Sequence, residues 1–315
     1  MFGKKNQVYR GREATVVYGL GSCSLSDTLE CGQAFRYELL VKEEGYVEYM
    51  TVAYGKIINV GQEKAGELIF FDPWTPEYEA AVSRYFRFDL SFDEIRLDVL
   101  SHTDSPWLKA AAESAGGVVI LKQEPWETLF SFIVSQNNNI PRIRKIIRDV
   151  CARYGENLAK AEGRPCPIPS KGCAPGSDEC LGCGLCHAFP TPAHILQNPE
   201  GLLPSKPGFR YKYLIDAADK VYSGEVDLEK IEAAASYDYT MEELKRIKGV
   251  GDKVASCVAL FGLSNLEAFP IDVWMKRAID EYFDGNLDPQ SLGKYAGVAQ
   301  QYIFHYIRNL SEKGE

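Results

Sequence analysis

A change of period along the chain predicts an α+β fold: an N-terminal antiparallel β-sheet domain followed by an all-helical domain. Up to residue 75 the apolar residues come in short runs divided by glycines, as at 47–52, 56–60 and 68–71, mixing β-branched with aromatic side chains. Such runs read as strands, and the short turns between them predict antiparallel pairing. From Glu77 onward the spacing turns helical, with Tyr78, Val82, Tyr85 and Phe86 recurring on one face. The third observation is size. At 315 residues, 45% apolar and 25% charged, the chain is long enough for one large domain or two moderate ones around a real core. We place a β-sheet-rich domain at 1–115 and a helical domain at 116–315.

Within the helical part, Pro125 stands at a first helical position, followed by Trp126, Leu129, Phe130, Ile133 and Val134 on one face. Helices are expected over 140–154, 211–222, 228–235, 241–247, 253–261, 271–282 and 291–309. Residues 162–189, rich in Pro, Gly and Cys, lack periodicity and read as an inserted surface loop. The longest apolar stretches, such as 254–263, are half of the ~20 residues a bilayer-spanning helix needs. No apolar run follows Lys4 and Lys5, so the expected location is cytoplasmic, or nuclear in a eukaryote, and not secreted.

A net charge of −9 argues on its own against nucleic acid as a partner. The basic residues are clustered, however. Arg142, Arg144, Lys145, Arg148 and Arg153 stand against Asp149 alone, and Lys245, Arg246, Lys248 and Lys253 against Asp252 alone. A local basic face on an acidic protein is compatible with this distribution.

Nine cysteines in such a chain point to reduced thiols, metal ligation or chemistry rather than to disulfides. Cys173, Cys180, Cys183 and Cys186 fall within 14 residues, whereas Cys23, Cys31, Cys151, Cys166 and Cys257 are spread out. The Cys-x2-Cys steps suit tetrahedral zinc, favoured here, or an iron–sulfur cluster. The alternative is a loop of reduced thiols.

The most informative stretch is Leu244-Lys245-Arg246-Ile247-Lys248-Gly249-Val250-Gly251-Asp252-Lys253-Val254-Ala255. One helix ends, two glycines around an apolar residue make a tight turn, and a second helix begins: a helix-hairpin-helix. Its glycines let the backbone approach a ligand closely, and the N–H groups opening the second helix carry partial positive charge. Such a hairpin grips a phosphate without reading a base. Lys253 opens the second helix, placed to act as a nucleophile through its neutral amine. Cys257 shares its face one turn on. Pro270-Ile271-Asp272-Val273 then puts an acid at the next helix start, where an N-cap is its ordinary role.

Taken together, these blocks resemble the helix-hairpin-helix DNA glycosylases, and within them the 8-oxoguanine DNA glycosylase/lyases. The resemblance covers residues 19–309. Gly32-Gln33-Ala34-Phe35-Arg36 resembles the lesion-reading strand, and residues 130–140, with Asn137-Asn138-Asn139, the triple-asparagine block. Gly208-Phe209-Arg210-Tyr211-Lys212-Tyr213 is similar to the loop that touches the orphaned cytosine. The hairpin with Pro270–Val273 resembles the catalytic block, and residues 296–304 the helix of the base pocket.

The resemblance implies an enzyme that flips 8-oxoguanine from duplex DNA and excises it through a lysine Schiff base, with strand nicking, acting as a monomer. It implies Lys253 as nucleophile and Asp272 as stabiliser of the sugar cation. Gly32, Cys257, Gln300 and Phe304 form the implied base pocket; Asn137, Arg142, Arg210 and Phe209 serve the gap and the orphaned cytosine; Gly249, Val250 and Gly251 grip phosphate. The carbonyl of Gly32 would read the N7–H that guanine lacks. No metal or redox cofactor is expected in the chemistry, and the cysteine insert is not typical of the family. Two departures stand out: Phe209 occupies a common tyrosine position, and Trp274 that of a histidine that holds backbone near the lesion. Competing readings are an alkylpurine glycosylase, which Lys253 disfavours, and a non-catalytic damage-binding module, which would need neither Lys253 nor Asp272.

Overall fold

The structure, a computed structural model, describes residues 2–163 and 184–313. It is α+β. The strands are β1 (Gly3–Tyr9), β2 (Arg12–Tyr18), β3 (Tyr37–Glu43), β4 (Tyr46–Ala53), β5 (Lys56–Gln62) and β6 (Glu67–Phe70). They form one antiparallel sheet in the order β1-β2-β6-β5-β4-β3. The β1–β2 and β4–β5 hairpins turn on Arg10-Gly11 and Tyr54-Gly55, all four with positive φ, the backbone that matches the sheet's twist. Inside the stretch read as strands lies a short helix, α1 (Leu25–Glu30), capped by Ser24 and burying Leu25 and Leu29.

Helices then follow almost without interruption: α2 (Pro76–Tyr85), α3 (Phe92–Ser101), α4 (Pro106–Ser114), α5 (Pro125–Ser135), α6 (Ile140–Tyr154), α7 (Leu158–Ala161), α8 (Pro192–Gln197), α9 (Tyr211–Tyr222), α10 (Leu228–Ala234), α11 (Tyr237–Lys245), α12 (Asp252–Phe261), α13 (Val273–Tyr282) and α14 (Ala296–Lys313). Several boundaries differ from expectation, three of them for clear local reasons. Helix α11 starts at Tyr237 rather than residue 241, because Ser236 caps it. The last helix starts at Ala296 rather than residue 291, because Gly293 (φ 71°) breaks the preceding 3-10 turn. Helix α13 starts at Val273 rather than 271, because Asp272 is its extended N-cap.

Helix α5 is the centre. Residues Thr128 to Val134 are buried without a gap, the signature of a helix surrounded on all sides. A single apolar core runs from the sheet (Val17, Ile58, Phe70) through α5 to α12 and α14, and α14 packs on α3 and α4.

In the peptide between α1 and β3 one buried amide, that of Gln33, carries much of the contact with the rest of the molecule. Gln33 is fully buried. Its Nε2 donates to the carbonyls of Thr28 and Val119 at 2.8 Å each, and its Oε1 accepts from the Leu121 N–H at 2.8 Å. Its own carbonyl accepts from Gln123 Nε2 at 2.7 Å. A buried amide is stable only when so satisfied. Gln33→Leu keeps the volume but orphans the Leu121 N–H, so we expect a loss of at least about 2 kcal/mol in urea unfolding; unchanged stability would show that those groups find other partners.

Candidate active site

One cleft of about 1350 Å³ opens across the molecule. Its walls are the loop after α5, the turn and first residues of α12, the start of α13, Gly32 and Phe35 from the sheet side, and Phe304 and Arg308 of α14.

The hairpin turn between α11 and α12 is anchored by buried Ile247 and Val250. Gly249 has φ +80°, and a Cβ there would overlap the Tyr213 ring, so only glycine fits. Around Gly251 there is open space, which leaves the N–H groups of α12 accessible from the cleft. Asp216 holds the turn from behind, accepting from the Lys248 N–H at 2.8 Å and from its Nζ at 3.1 Å.

Lys253 lies in the first turn of α12, its Nζ 5.3 Å from the centre of the Phe132 ring. One turn on, Cys257 is buried. Burial pushes its thiol up to about 11, against the lowering influence of Lys253, so at neutral pH it is an apolar wall and not a thiolate. Asp272 caps α13: Oδ1 accepts from the N–H groups of Trp274 (3.0 Å) and Met275 (2.9 Å). Its other oxygen has no hydrogen bond among the described residues. Trp274 lines the cleft and packs partly on the core.

Across the cleft, the three asparagines have three different jobs. Asn138 donates to the Val134 carbonyl (3.0 Å) and closes α5, while Asn139 caps α6 by accepting from the Arg142 N–H (3.0 Å). Asn137, exposed and left-handed at φ 46°, makes no side-chain hydrogen bond among the described residues. Its backbone is fixed by Arg210. That guanidinium, 2% exposed, donates through Nε to the Gln136 carbonyl (2.7 Å) and through Nη2 to those of Gln136 and Asn137 (2.8 Å to Asn137). Burial and the nearby Arg142 charge lower its pKa. Arg142 is exposed and reaches the Lys206 carbonyl at 3.4 Å, and Phe209 is half exposed with Arg210 4.5 Å from its ring centre.

On the sheet side Gly32 takes φ +85°, and a Phe304 ring carbon lies 3.7 Å from where its Cβ would stand. Gln300 is buried behind the wall, its Oε1 accepting from Gln301 Nε2 at 2.8 Å. The cleft thus gathers Lys253, Asp272, Gly32, Phe304, Asn137, Gly249 and Gly251. Arg142, Arg210 and Phe209 flank it, and Cys257, Gln300 and Val250 lie behind its surface. Of the cysteine cluster, Cys173, Cys180 and Cys183 fall outside the described residues. Cys186 is fully buried on the sheet's outer side among Met50, Val52, Ile57, Leu158 and Leu185. Among the described residues no group of three His, Cys, Asp or Glu is arranged for a metal, and no helix is long and apolar enough to cross a membrane.

A lysine on a helix-hairpin-helix, an acid at the next helix start and a glycine-lined pocket opposite define the class: a helix-hairpin-helix DNA glycosylase. Comparison with known proteins narrows it. The family model for the N-terminal domain of 8-oxoguanine DNA glycosylase matches residues 16–129. The N-glycosylase/DNA lyase of Saccharomyces cerevisiae is 28% identical over 80% of this chain, which spans 66% of that protein. The structure of MBOgg1 with a low-affinity DNA ligand is similar at TM-score 0.79 and 32% identity, covering 98% of this chain and 99% of that one. The Clostridium acetobutylicum 8-oxoguanine glycosylase/lyase, solved with duplex DNA bearing cytosine opposite 8-oxoguanine, gives 0.78 and 29% over 99% and 98%. The chain belongs to the 8-oxoguanine DNA glycosylase/lyase family, and it is an enzyme, a DNA glycosylase with lyase activity.

The block at residues 32–36 stood out in the sequence, but the structural role of Arg36 within it did not. Arg36 is 3% exposed; its Nε lies 3.1 Å from Glu127, and its Nη1 donates to Cys151 Sγ (3.2 Å) and the His187 carbonyl (3.1 Å). This one group ties the lesion-side strand to α5, α6 and the end of the insert. Burial pushes the Glu127 carboxyl up to about 7, although Arg36 pulls it down. In the unfolded chain it would titrate near ~4.3. The folded state therefore keeps a proton that the unfolded chain gives up, so stability is full below ~4.3 and falls as pH rises through about 7. Urea midpoints measured from pH 5 to 8 should fall less steeply in Glu127→Gln than in wild type; equal slopes would refute the assignment.

Proposed function

We propose that this enzyme extrudes 8-oxoguanine lying opposite cytosine in duplex DNA, releases the base through Lys253, and nicks the strand. The observation that carries this reading is a single cleft with Lys253 and Asp272 on one wall and Gly32 and Phe304 on the other. A base inside a duplex cannot be reached, so it must swing out. Open backbone around Gly251 and the N–H groups of α12 take the phosphate. Asn137, exposed on a rigid loop, enters the gap, where its amide both donates and accepts. Exposed Arg142 attends the orphaned cytosine, and buried Arg210 holds the loop that carries Asn137. Phe209 brings no hydroxyl there, which supports a loose preference for cytosine.

The extruded base lies against Phe304, with Cys257 and Gln300 behind the wall completing the pocket. The Gly32 carbonyl accepts from N7–H; facing the bare N7 of guanine instead costs roughly 1–3 kcal/mol. Lys253, as the free amine, attacks C1′. The C1′–N9 bond breaks, its electron pair leaves with the base, and the Asp272 carboxylate stabilises the cationic sugar. Nζ gives a proton to the departing base, and the C1′–O4′ bond of the resulting aminal opens with O4′ taking up a proton. The Schiff base so formed acidifies C2′–H, whose loss expels the 3′ phosphate oxygen. One chain supplies every group named, which supports action as a monomer. The spacing of Cys173, Cys180, Cys183 and Cys186 supports a structural metal, zinc before iron–sulfur; purified protein without stoichiometric zinc or iron would refute it.

Two substitutions separate chemistry from folding. With Lys253→Gln, borohydride trapping on a duplex containing 8-oxoguanine opposite cytosine should vanish. Asp272→Asn preserves an N-cap of equal rank, so its melting temperature should stay close to wild type while base release falls by about 100-fold or more. Full activity in either variant would overturn its assigned role.

A further inference from the structure

Arg308 has no part in the mechanism above, yet it lies on the cleft wall beside the base pocket. It follows Phe304 by one helical turn on α14, so the two share a face. The guanidinium carbon sits 5.6 Å from the Phe304 ring centre, within cation–π range. Its Nη1 donates to the Glu30 carbonyl at 3.5 Å and lies 3.9 Å from the point where a Cβ on Gly32 would stand. The Phe304 ring and the Glu30 carbonyl thus help hold a cation next to the glycine proposed to face the lesion's distinguishing edge. The side chain is half-buried, which strengthens its field in the pocket.

We propose that Arg308 is a second reader of the oxidised base, donating an N–H to the oxygen on C8. This rests on the base-release reading given above. Oxidation changes guanine at two adjacent positions: N7 becomes a donor, and C8 gains a carbonyl acceptor. A carbonyl at Gly32 answers the first change and a donor immediately beside it answers the second. Arginine carries five N–H donors in a planar fork that can serve more than one acceptor. The same contact assists bond cleavage. When the C1′–N9 pair departs with the base, negative charge spreads from N9 to the C8 oxygen, where a guanidinium stabilises it.

The test compares two reactions of the full-length protein. In R308M, single-turnover release of 8-oxoguanine opposite cytosine should slow by about 10- to 100-fold, while nicking of a preformed abasic duplex, which has no base to read, stays within twofold of wild type. R308Q, which keeps a donor but no charge, should fall between. If R308M does not fold, R308Q is judged by the same two rates. Wild-type base release in the variant would overturn the proposal. So would an equal loss of both reactions, which marks a grip on the DNA backbone or a structural role. Wild-type enzyme that nicks abasic DNA but releases no 8-oxoguanine would overturn the base assignment itself, and this proposal with it.

Discussion

The buried amide of Gln33 sets where the sheet stands against the helices, and the two walls of the cleft are fixed relative to each other through it. Gly32 precedes it in a left-handed conformation, so the direction of the Gly32 carbonyl follows from how Gln33 is held. Two residues on, Phe35 meets Phe132 of α5 edge-on at 5.6 Å, and Phe132 stacks on Phe261 of α12 at 5.5 Å. Lys253 lies over that same Phe132 ring. A continuous line of rigid contacts therefore runs from the proposed lesion-reading peptide to the proposed nucleophile. Close-packed interiors transmit small displacements rather than absorbing them.

An acidic protein can serve a polyanion because little of its grip depends on net charge. The basic run at residues 142–153 is largely consumed by the fold: Arg144 and Arg148 both pair with Glu38 and bond the Tyr37 carbonyl, and Lys145 pairs with Asp149. At the hairpin, Lys245 pairs with Asp252 and Lys248 with Asp216. What faces the cleft is mostly neutral: helix N–H groups, an asparagine amide and a glycine turn. Such donors position a phosphate without creating a wide positive field.

Local signals made much of this legible in advance. The change of period located the sheet and the helices, and α6 and α9 match their expected spans because each carries an uninterrupted apolar face. The hairpin, Asp272 and the asparagine block were readable because each combines rare residue types at short spacing. Three kinds of feature were not. Helix α1 is a single capped turn and a half, too short to show a period. Gln33 and Arg36 look like ordinary surface polar residues, and only partners some 90 to 150 positions away make them interior. Arg308 reads as a solvated charge on a terminal helix until the fold brings Gly32 beside it. The asparagines were legible as a group but not individually: Asn138 and Asn139 do ordinary capping work, and Asn137 is the one whose side chain makes no hydrogen bond among the described residues.

Asp272 uses one oxygen to start α13 and presents the other to the cleft. That division restricts which residues the position can accept over evolutionary time. Glutamate keeps the charge but is a poor cap, and serine caps but brings no charge. Aspartate alone meets both demands, so drift at this position cannot pass through a chemically similar intermediate. Asparagine is the nearest neighbour that folds, and a lineage that adopts it would keep a stable, DNA-shaped protein while losing the carboxylate proposed above to stabilise the sugar cation.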